Sequence, residues 1–205
     1  MPLDQTVRTE VASKIIKFEN KINHFYLDSV GKVTVGVGHM IPNKQSVSSI
    51  TMYRIVNKLP GAMATLLEKQ KEFDNISKQK RNYKAEWYAK HTTLMMKDTD
   101  ITAQLNKHID SFYKELSITY TKAKGYPDDF DKLDKDVQAA LFDMIFNLGA
   151  TKLTKVFSKF DNAIKAGNWK LAAAESNRPQ IDPRRNDYVK KKFISAASKQ
   201  VAAKP

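Results

Sequence analysis

The sequence predicts an α+β fold that is mostly helical and carries a small β-hairpin lobe near its N-terminus. Along most of the 205 residues, apolar side chains recur every three or four positions, which is the period of an amphipathic helix. The stretch VTVGVG at 33–38 instead alternates strictly between apolar and small or polar residues, which is the period of a half-buried strand. We therefore expect one hairpin lobe and one larger helical lobe within a single domain spanning 1–205.

The hairpin lobe, at about 1–43, is predicted to be one helix followed by two strands. The helix covers about residues 6–23, because one apolar stripe runs along it, formed by Val7, Val11, Ile15, Phe18 and Ile22. The hairpin follows as FYLD, the turn-like SVGK and VTVGVGH. Gly31 provides the positive φ that such a turn requires.

The rest of the chain is predicted to be helical. A helical insertion is expected at about 44–97 and a helical body at about 98–205. The insertion has two apolar stripes, Met63, Leu66, Leu67 and Phe73, and then Tyr83, Trp87, His91, Leu94 and Met95. The helices of the body are expected at about 101–116, 134–149, 154–166, 168–176 and 184–202. Asp134 is the predicted N-cap of the second of these, and Gly149 ends it.

Charge and composition limit the classes of partner. The net charge of +13 attracts anionic partners such as nucleic acid, anionic lipid or bacterial cell wall, unless the lysines serve solubility alone. Most cations are lysines, whereas sequence-specific base reading favours the arginine fork, so no specific nucleic-acid partner is expected. The chain contains no cysteine, which excludes disulfides and cysteine-dependent hydrolases.

The sequence also lacks signals for a membrane. No stretch approaches the roughly 20 consecutive apolar residues of a membrane span, and the N-terminus MPLDQTVRTE lacks the apolar core of a secretory signal. We therefore expect a monomer that is made in the cytoplasm without a signal peptide and does not insert into membranes. No metal or organic cofactor is implied.

Two carboxylates in unlike surroundings suit the chemistry of glycoside hydrolysis, which needs one acid and one base. Glu19 lies at the edge of the first apolar stripe, the partly desolvated kind of position that favours an acid, and Asp28 falls in the polar turn of the hairpin. The Thr34 hydroxyl could hold an attacking water. The same residues also have ordinary explanations, since Asp28 could bond its own backbone in an Asx turn and Glu19 could be a solvated helix charge.

The segment FEN followed by YLDSVGKVTVGVGH resembles the phage-type lysozymes, glycoside hydrolases whose pattern is a glutamate, a D-x-x-G turn and T-x-G-x-G-H. The matching positions are Glu19, Asp28, Gly31, Thr34, Gly36, Gly38 and His39. The resemblance implies a lysozyme-like fold with a cleft between two lobes. It also implies a muramidase that cleaves the β-1,4 bond between N-acetylmuramic acid and N-acetylglucosamine with inversion, with Glu19 as proton donor, Asp28 as the base toward water and Thr34 as the supporting hydroxyl.

Further positions resemble the same family. AALFDMIFNLG at 139–149 is similar to the helix that backs the cleft, which implies that Phe146 and Asn147 contact the glycan. Arg185 resembles the arginine that pairs with the acid, and Met40 resembles a residue at the lip of the cleft. The alternatives are a plain core aromatic for Phe146 and an apolar strand end for Met40, and His39 is expected to be structural rather than catalytic.

The resemblance does not cover about 44–97, and it leaves other functions open. The run KQKRNYKAEWYAK mixes cations with aromatic residues, which suits sugar stacking or phosphate binding but also an amphipathic helix that packs its aromatics. One rival is a catalytically silent module that binds cell wall or nucleic acid. Another is a delivered antibacterial effector, bound by an immunity protein in the producer, instead of a phage endolysin. Either enzyme would act on the periplasmic or extracellular wall after delivery.

Overall fold

The computed structural model describes residues 2–202, and it confirms an α+β fold that is mostly helical. The α-helices of the described residues are α1 (Gln5–Glu19), α2 (Leu66–Ser77), α3 (Asp98–Thr119), α4 (Lys135–Thr151), α5 (Ser158–Lys165), α6 (Trp169–Glu175) and α7 (Pro183–Ala202). The strands are β1 (Ile22–Leu27), β2 (Val33–Gly36), β3 (His39–Met40), β4 (Tyr53–Val56), β5 (Leu59–Met63) and β6 (Leu94–Met95). None of the helices in 2–202 is long and apolar enough to cross a bilayer.

The chain folds as two compact units. The sheet unit is Ile15–Lys107. The helical unit combines the chain before Ile15 with the chain from His108 onward. Both sheets belong to the sheet unit, whereas α4 to α7 belong to the helical unit.

The predicted hairpin is present and has a third strand. β1 pairs antiparallel with β2, and β2 pairs antiparallel with β3. Gly31 takes the expected left-handed conformation, with φ 78°, in the turn between β1 and β2. The first helix ends at Glu19 rather than near residue 23, because Asn20 adopts φ 62° and leaves the helical conformation. Ile22 then starts β1 directly.

The prediction of a helical insertion at about 44–97 was wrong for much of that range, because it contains a second sheet in the order β5-β4-β6. Asn57 and Lys58 join β4 to β5 with φ angles of 51° and 64°, which are the paired positive values of a type I′ hairpin turn. Pro60 weakens the strand signal in the sequence. The structure accommodates it because β5 is an edge strand, where a missing N–H is tolerated.

Helix α2 forms within the predicted insertion, but it buries a different face from the one expected. Leu66 and Leu67 belong to the predicted apolar stripe, yet they are 47% and 60% exposed. The buried side contains Lys69 and Glu72. Lys69 donates to the Ile50 carbonyl at 2.8 Å, and the Glu72 carboxylate accepts the backbone N–H of Leu94 at 2.9 Å. Hydrogen bonds to backbone groups thus make this polar interface tolerable.

The helices of the helical unit lie close to their predicted positions, although the unit includes the chain before Ile15 and lacks 98–107 of the predicted body. Helix α4 lies in its core, and its buried residues include Val137, Ala140, Leu141, Met144 and Ile145. The Asp134 side chain caps α4 by accepting the Asp136 N–H at 2.9 Å. Gly149 interrupts the helix with φ 70° and ψ 159°, close to its predicted end. Helix α7 packs against both α4 and α6.

Candidate active site

Glu19 lies at the C-terminal end of α1, against the turn that joins β2 to β3. A Cβ atom placed on Gly38 would stand 3.3 Å from Glu19 Oε2, so the carboxylate rests on the glycine backbone. Gly38 also has φ 67°, a conformation that suits glycine. The Glu19 side chain is half-buried. Because Gly38 has no side chain, the turn between β2 and β3 leaves space for the Glu19 carboxyl group.

Asp28 forms the Asx turn that its sequence context suggested. Its Oδ1 accepts the backbone N–H groups of Val30 at 3.0 Å and Lys32 at 2.8 Å, and its carbonyl accepts the Gly31 N–H at 3.0 Å. These bonds fix the orientation of the carboxylate. Within residues 2–202, Oδ2 of Asp28 has no hydrogen-bond partner, so one carboxylate oxygen is anchored and the other is left for a ligand or water.

Tyr26 links the two carboxylates electrostatically. Burial raises the pKa of its hydroxyl above the ordinary value, and the negative charges of Glu19 and then Asp28 raise that pKa further. The hydroxyl stays protonated and remains a hydrogen-bond donor. Both acidic side chains therefore act on the same polar group of the sheet unit.

Thr34 lies on the central strand of the first sheet, in register with Tyr26 on one side and Met40 on the other. Directly opposite residues share a face of an antiparallel sheet, so these three side chains form one row. Thr34 is 2% exposed, and its Oγ1 donates to the Lys32 carbonyl at 3.1 Å. Because its single hydroxyl proton is donated to the Lys32 carbonyl, the Thr34 oxygen can only accept a hydrogen bond from a water. Met40 is 46% exposed at the end of the row.

Two residues that sequence analysis missed approach the same sheet. A Cβ atom on Gly36 would stand 2.5 Å from Gln104 Oε1, and one on Gly31 would stand 2.6 Å from Arg81 Nε. Gly36 and Thr34 are two positions apart and share a strand face, so Gln104 brings an amide to the side of the site. The backbone favours glycine at both positions, because φ is 70° at Gly36 and 78° at Gly31. The available signal in the sequence was the glycines in the predicted turn and strand. They indicate a close approach by another group, but they do not identify the residue that approaches.

The remaining predicted site residues belong to the helical unit, where they meet at Asp143. Arg185 Nε donates to Asp143 Oδ2 at 2.8 Å, and the Arg185 guanidinium lies 5.0 Å from the centroid of the Phe146 ring. The Asn147 amide donates to the Asp143 carbonyl at 2.8 Å. Within this unit the structure thus brings Phe146, Asn147 and Arg185 together.

Asp143 holds a second arginine that the sequence did not indicate. Arg178 Nη1 donates to Asp143 Oδ1 at 2.8 Å, and Arg178 and Asp143 are 2% and 3% exposed. Burial lowers the pKa of Arg178, and the negative charge of Asp143 opposes that change. Asp143 is a single acid on the apolar face of α4, which is a sequence signal for a buried ion pair. Nothing in the sequence around Arg178 identified that arginine as the partner of Asp143.

Glu19, Asp28, Thr34 and Met40 therefore lie in the sheet unit, and Phe146, Asn147 and Arg185 lie in the helical unit. The pairing of Arg185 with Glu19 stays a prediction, as does a glycan contact for Met40, Phe146 or Asn147. His39 pairs with Val35 across the first sheet and is half-buried.

Comparison with known proteins adds no family assignment. No protein-family model matches the chain, and a search of curated proteins finds no significant match.

Proposed function

We propose that the protein is a muramidase with a lysozyme-like fold, which hydrolyses the β-1,4 bond between N-acetylmuramic acid and N-acetylglucosamine in peptidoglycan. The observation that carries the proposal is that one three-stranded sheet brings together the Gly38 turn against Glu19, the anchored carboxylate of Asp28 and the strand of Thr34. Hydrolysis of a glycosidic bond by acid and base needs two carboxyl groups near the same bond. The resemblance of the surrounding motif to the phage-type lysozymes supports the same assignment.

The contacts of each residue suggest its role. Glu19 is the proposed acid, which gives its proton to the leaving glycosidic oxygen as the bond from that oxygen to the anomeric carbon breaks. Asp28 is the proposed base. Its Oδ1 is held by two backbone N–H groups, and its Oδ2 takes a proton from the water whose oxygen forms the new bond to the anomeric carbon. The Thr34 oxygen accepts the other proton of that water in a hydrogen bond.

Residues outside this pair bind the glycan in the proposal. Met40 offers an exposed apolar side chain at the end of the row that contains Thr34. Gln104 brings an amide, which suits the hydroxyl and acetamido groups of amino sugars. Phe146 and Asn147 are proposed glycan contacts through the family resemblance, and Arg185 is the proposed partner of the acid.

The charge of the protein fits a wall polymer as substrate. A net charge of +13 favours association with an anionic surface, and bacterial walls carry carboxylates and phosphates. The enzyme would reach the wall by delivery, either as a phage endolysin or as an antibacterial effector. An effector would have an immunity protein as a further partner in the cell that makes it.

Digestion of purified peptidoglycan tests the proposal. Mass spectrometry of the soluble products should show reducing-end muramic acid, and early NMR spectra should show the α-anomer, since inversion converts the β-bond to that product. Glu19→Gln and Asp28→Asn should each slow release by about 10²–10⁴-fold. Asp98→Asn, which alters an exposed carboxylate of the same unit, should retain activity.

Three results would contradict parts of the proposal. A fully active Glu19→Gln protein would exclude Glu19 as the acid. Products with new peptide or lactyl ends would indicate a peptidase or amidase. Binding of the wild-type protein to the wall without turnover would make it the silent binding module.

A further inference from the structure

The segment 78–91, the basic segment, concentrates unpaired positive charge on the sheet unit. Its cations are Lys78, Lys80, Arg81, Lys84 and Lys90, all exposed, and its one acidic residue is Glu86. None of these cations forms an ion pair within residues 2–202. Other cations of the unit do pair, as Lys44 with Asp74 and Lys21 with Asp98. The charge of the basic segment is therefore available to a ligand.

Aromatic contacts hold the basic segment in place. The rings of Tyr83 and Trp87 stack with centroids 4.1 Å apart and an interplanar angle of 16°. Lys90 Nζ lies 4.3 Å from the Trp87 centroid. A stacked ring and an ammonium group cannot share one face, so both faces of Trp87 are covered and it is not a platform for a sugar. Tyr88 is buried and donates its hydroxyl to the Lys80 carbonyl at 2.8 Å.

The structure agrees in part with the interpretation of an amphipathic helix that packs its aromatics. Tyr88 is buried, but the helix is a short 3-10 helix at Ala85–His91, and Tyr83 is 44% exposed. The cations stay exposed on this support. Because their backbone is fixed, less conformational entropy is lost when they bind a ligand. The segment exposes five cations but only one aromatic ring, that of Tyr83, so recognition by the basic segment depends mainly on charge.

Arg81 connects the basic segment to the candidate active site. Its Nε, Cδ and Cζ atoms all lie within 2.9 Å of the place where Gly31 would carry a Cβ. Gly31 closes the turn that orients Asp28, through its N–H bond to the Asp28 carbonyl. Arg81 nevertheless makes no ion pair with Asp28 in the described part of the chain. Its guanidinium group therefore lies beside the turn that holds the proposed base, without an ion pair to that base.

We propose that the basic segment is a binding site for the anionic groups of the wall polymer, namely carboxylates of its peptides or phosphates of polymers attached to it, with Arg81 next to the turn of Asp28. This inference rests on the proposed function, because it names a feature of the same substrate. Nucleic acid is the less favoured ligand, since its single strands are bound by successive open aromatic faces, and within 78–91 only the Tyr83 ring is exposed. Arg81 lies against the turn that contains Asp28, which also favours the substrate of the candidate active site over nucleic acid as the ligand.

Cosedimentation with purified sacculi tests the inference without requiring catalysis. The full chain with Glu19→Gln is compared with the same protein after K78Q, K80Q, R81Q and K84Q. Lys90 is kept because it contacts Trp87. A matched control removes four exposed cations of the helical unit by K122Q, K155Q, K159Q and K170Q. Circular dichroism and melting temperature confirm that each variant is folded.

The basic-segment variant should bind about tenfold more weakly at low salt and lose most of its salt dependence, whereas the control should bind like its parent. Sacculi stripped of phosphate polymers and sacculi with amidated carboxylates then identify the source, because binding of the parent falls with the group that is removed. Equal losses in the two variants would overturn the inference, since net charge alone would explain them. The inference would also be overturned if the basic-segment variant bound DNA more weakly than its parent but bound sacculi equally well.

The same samples separate this inference from the proposed function. Wall binding that depends on the basic segment, together with a wild-type protein that releases no reducing-end muramic acid, would contradict the muramidase alone. Muramidase products together with unchanged wall binding by the basic-segment variant would contradict the inference alone.

Discussion

The Glu19 carboxylate rests against the backbone of Gly38, where a methyl group would stand 3.3 Å from Oε2. Gly38 also holds φ 67°, a conformation that costs an L-residue of order 1 kcal/mol. Gly38→Ala should therefore both destabilise the protein and displace the carboxyl group. We expect wall hydrolysis to fall at least tenfold.

Gly125→Ala is the matched control for this change. Gly125 has φ 84°, yet nothing lies within 4 Å of the Cβ that it would gain. Both variants should lose comparable stability in a urea titration, while only Gly38→Ala loses turnover. Equal activity of the two would show that crowding of Glu19 does not matter.

Tyr26 offers a direct test of the proximity of the two carboxylates. Since burial and then the charges of Glu19 and Asp28 raise the pKa of Tyr26, removal of either charge should lower that pKa while burial keeps it above 10. NMR of carbon-13-labelled tyrosine across alkaline pH, assigned with Tyr26→Phe, would measure this in Glu19→Gln and Asp28→Asn. The pKa of Tyr126, which burial and Asp161 raise, should not change. A response to only one of the two variants would contradict a shared site.

The motif predicted Glu19, Asp28 and Thr34 because all three belong to one short segment, and local pattern is what a single sequence conveys best. Helices α3, α4 and α7 were predicted for the same reason, since each carries a long apolar stripe. Tyr26 was within reach as well, because it precedes Asp28 by only two positions in the same segment. It was overlooked among the apolar residues of β1.

Long-range contacts account for what the sequence did not predict. Gln104 reaches Gly36 from α3, and Arg81 reaches Gly31 from a later segment. Contacts between residues so far apart in the chain produce no periodic pattern in the sequence. The second sheet escaped detection because its strands are short and expose apolar residues. Leu59 and Met63 on β5 are 67% and 64% exposed. An apolar stripe predicts burial only if another element covers it.

Thr34 should matter through its oxygen rather than its methyl group. Thr34→Val keeps the shape but removes the acceptor for water and the donor to the Lys32 carbonyl, which costs about 1 kcal/mol of stability. The turnover number should fall at least tenfold, with a smaller effect on the Michaelis constant. Thr34→Ser retains the hydroxyl and should restore most of the rate. A Ser variant as slow as the Val variant would argue that packing, not the hydroxyl, is required.

Asp136 should make the helical unit sensitive to acid. Burial opposes ionisation of this side chain, but hydrogen bonds from Lys192, Lys199 and Ser195 prevail and lower its pKa to about 2. Because this folded-state pKa lies below the ordinary value of 3.8, the stabilisation is present above pH 4 and is lost as the pH falls toward 2. It amounts to about 2 kcal/mol.

Urea unfolding at pH 7 and at pH 3 measures this effect. Asp136→Asn should lose stability at pH 7 and show a smaller further loss at pH 3 than the wild type does. The exposed Asp187→Asn should follow the wild-type curve. A pH response of Asp136→Asn equal to that of the wild type would place the acid sensitivity in other carboxylates.

Asp143 is the negative charge that two buried arginines share. Its Oδ1 and Oδ2 each accept a hydrogen bond at 2.8 Å, from Arg178 and Arg185, and all three side chains are at most 4% exposed. Asp143→Asn keeps the size of the side chain but leaves two buried guanidinium groups without this countercharge. Breaking a buried ion pair by removing one partner costs about 3–5 kcal/mol. Differential scanning calorimetry should therefore show a large fall in melting temperature.

The exposed pair Arg184–Asp182 provides the comparison for Asp143. Arg184 is 84% exposed, and Asn at 182 would still accept the Arg184 N–H that Asp182 accepts at 2.8 Å. Asp182→Asn should therefore melt like the wild type, because an exposed ion pair contributes little. If Asp143→Asn also melted like the wild type, another group would have to neutralise Arg178 and Arg185. Buried charges without a countercharge strongly destabilise a folded protein.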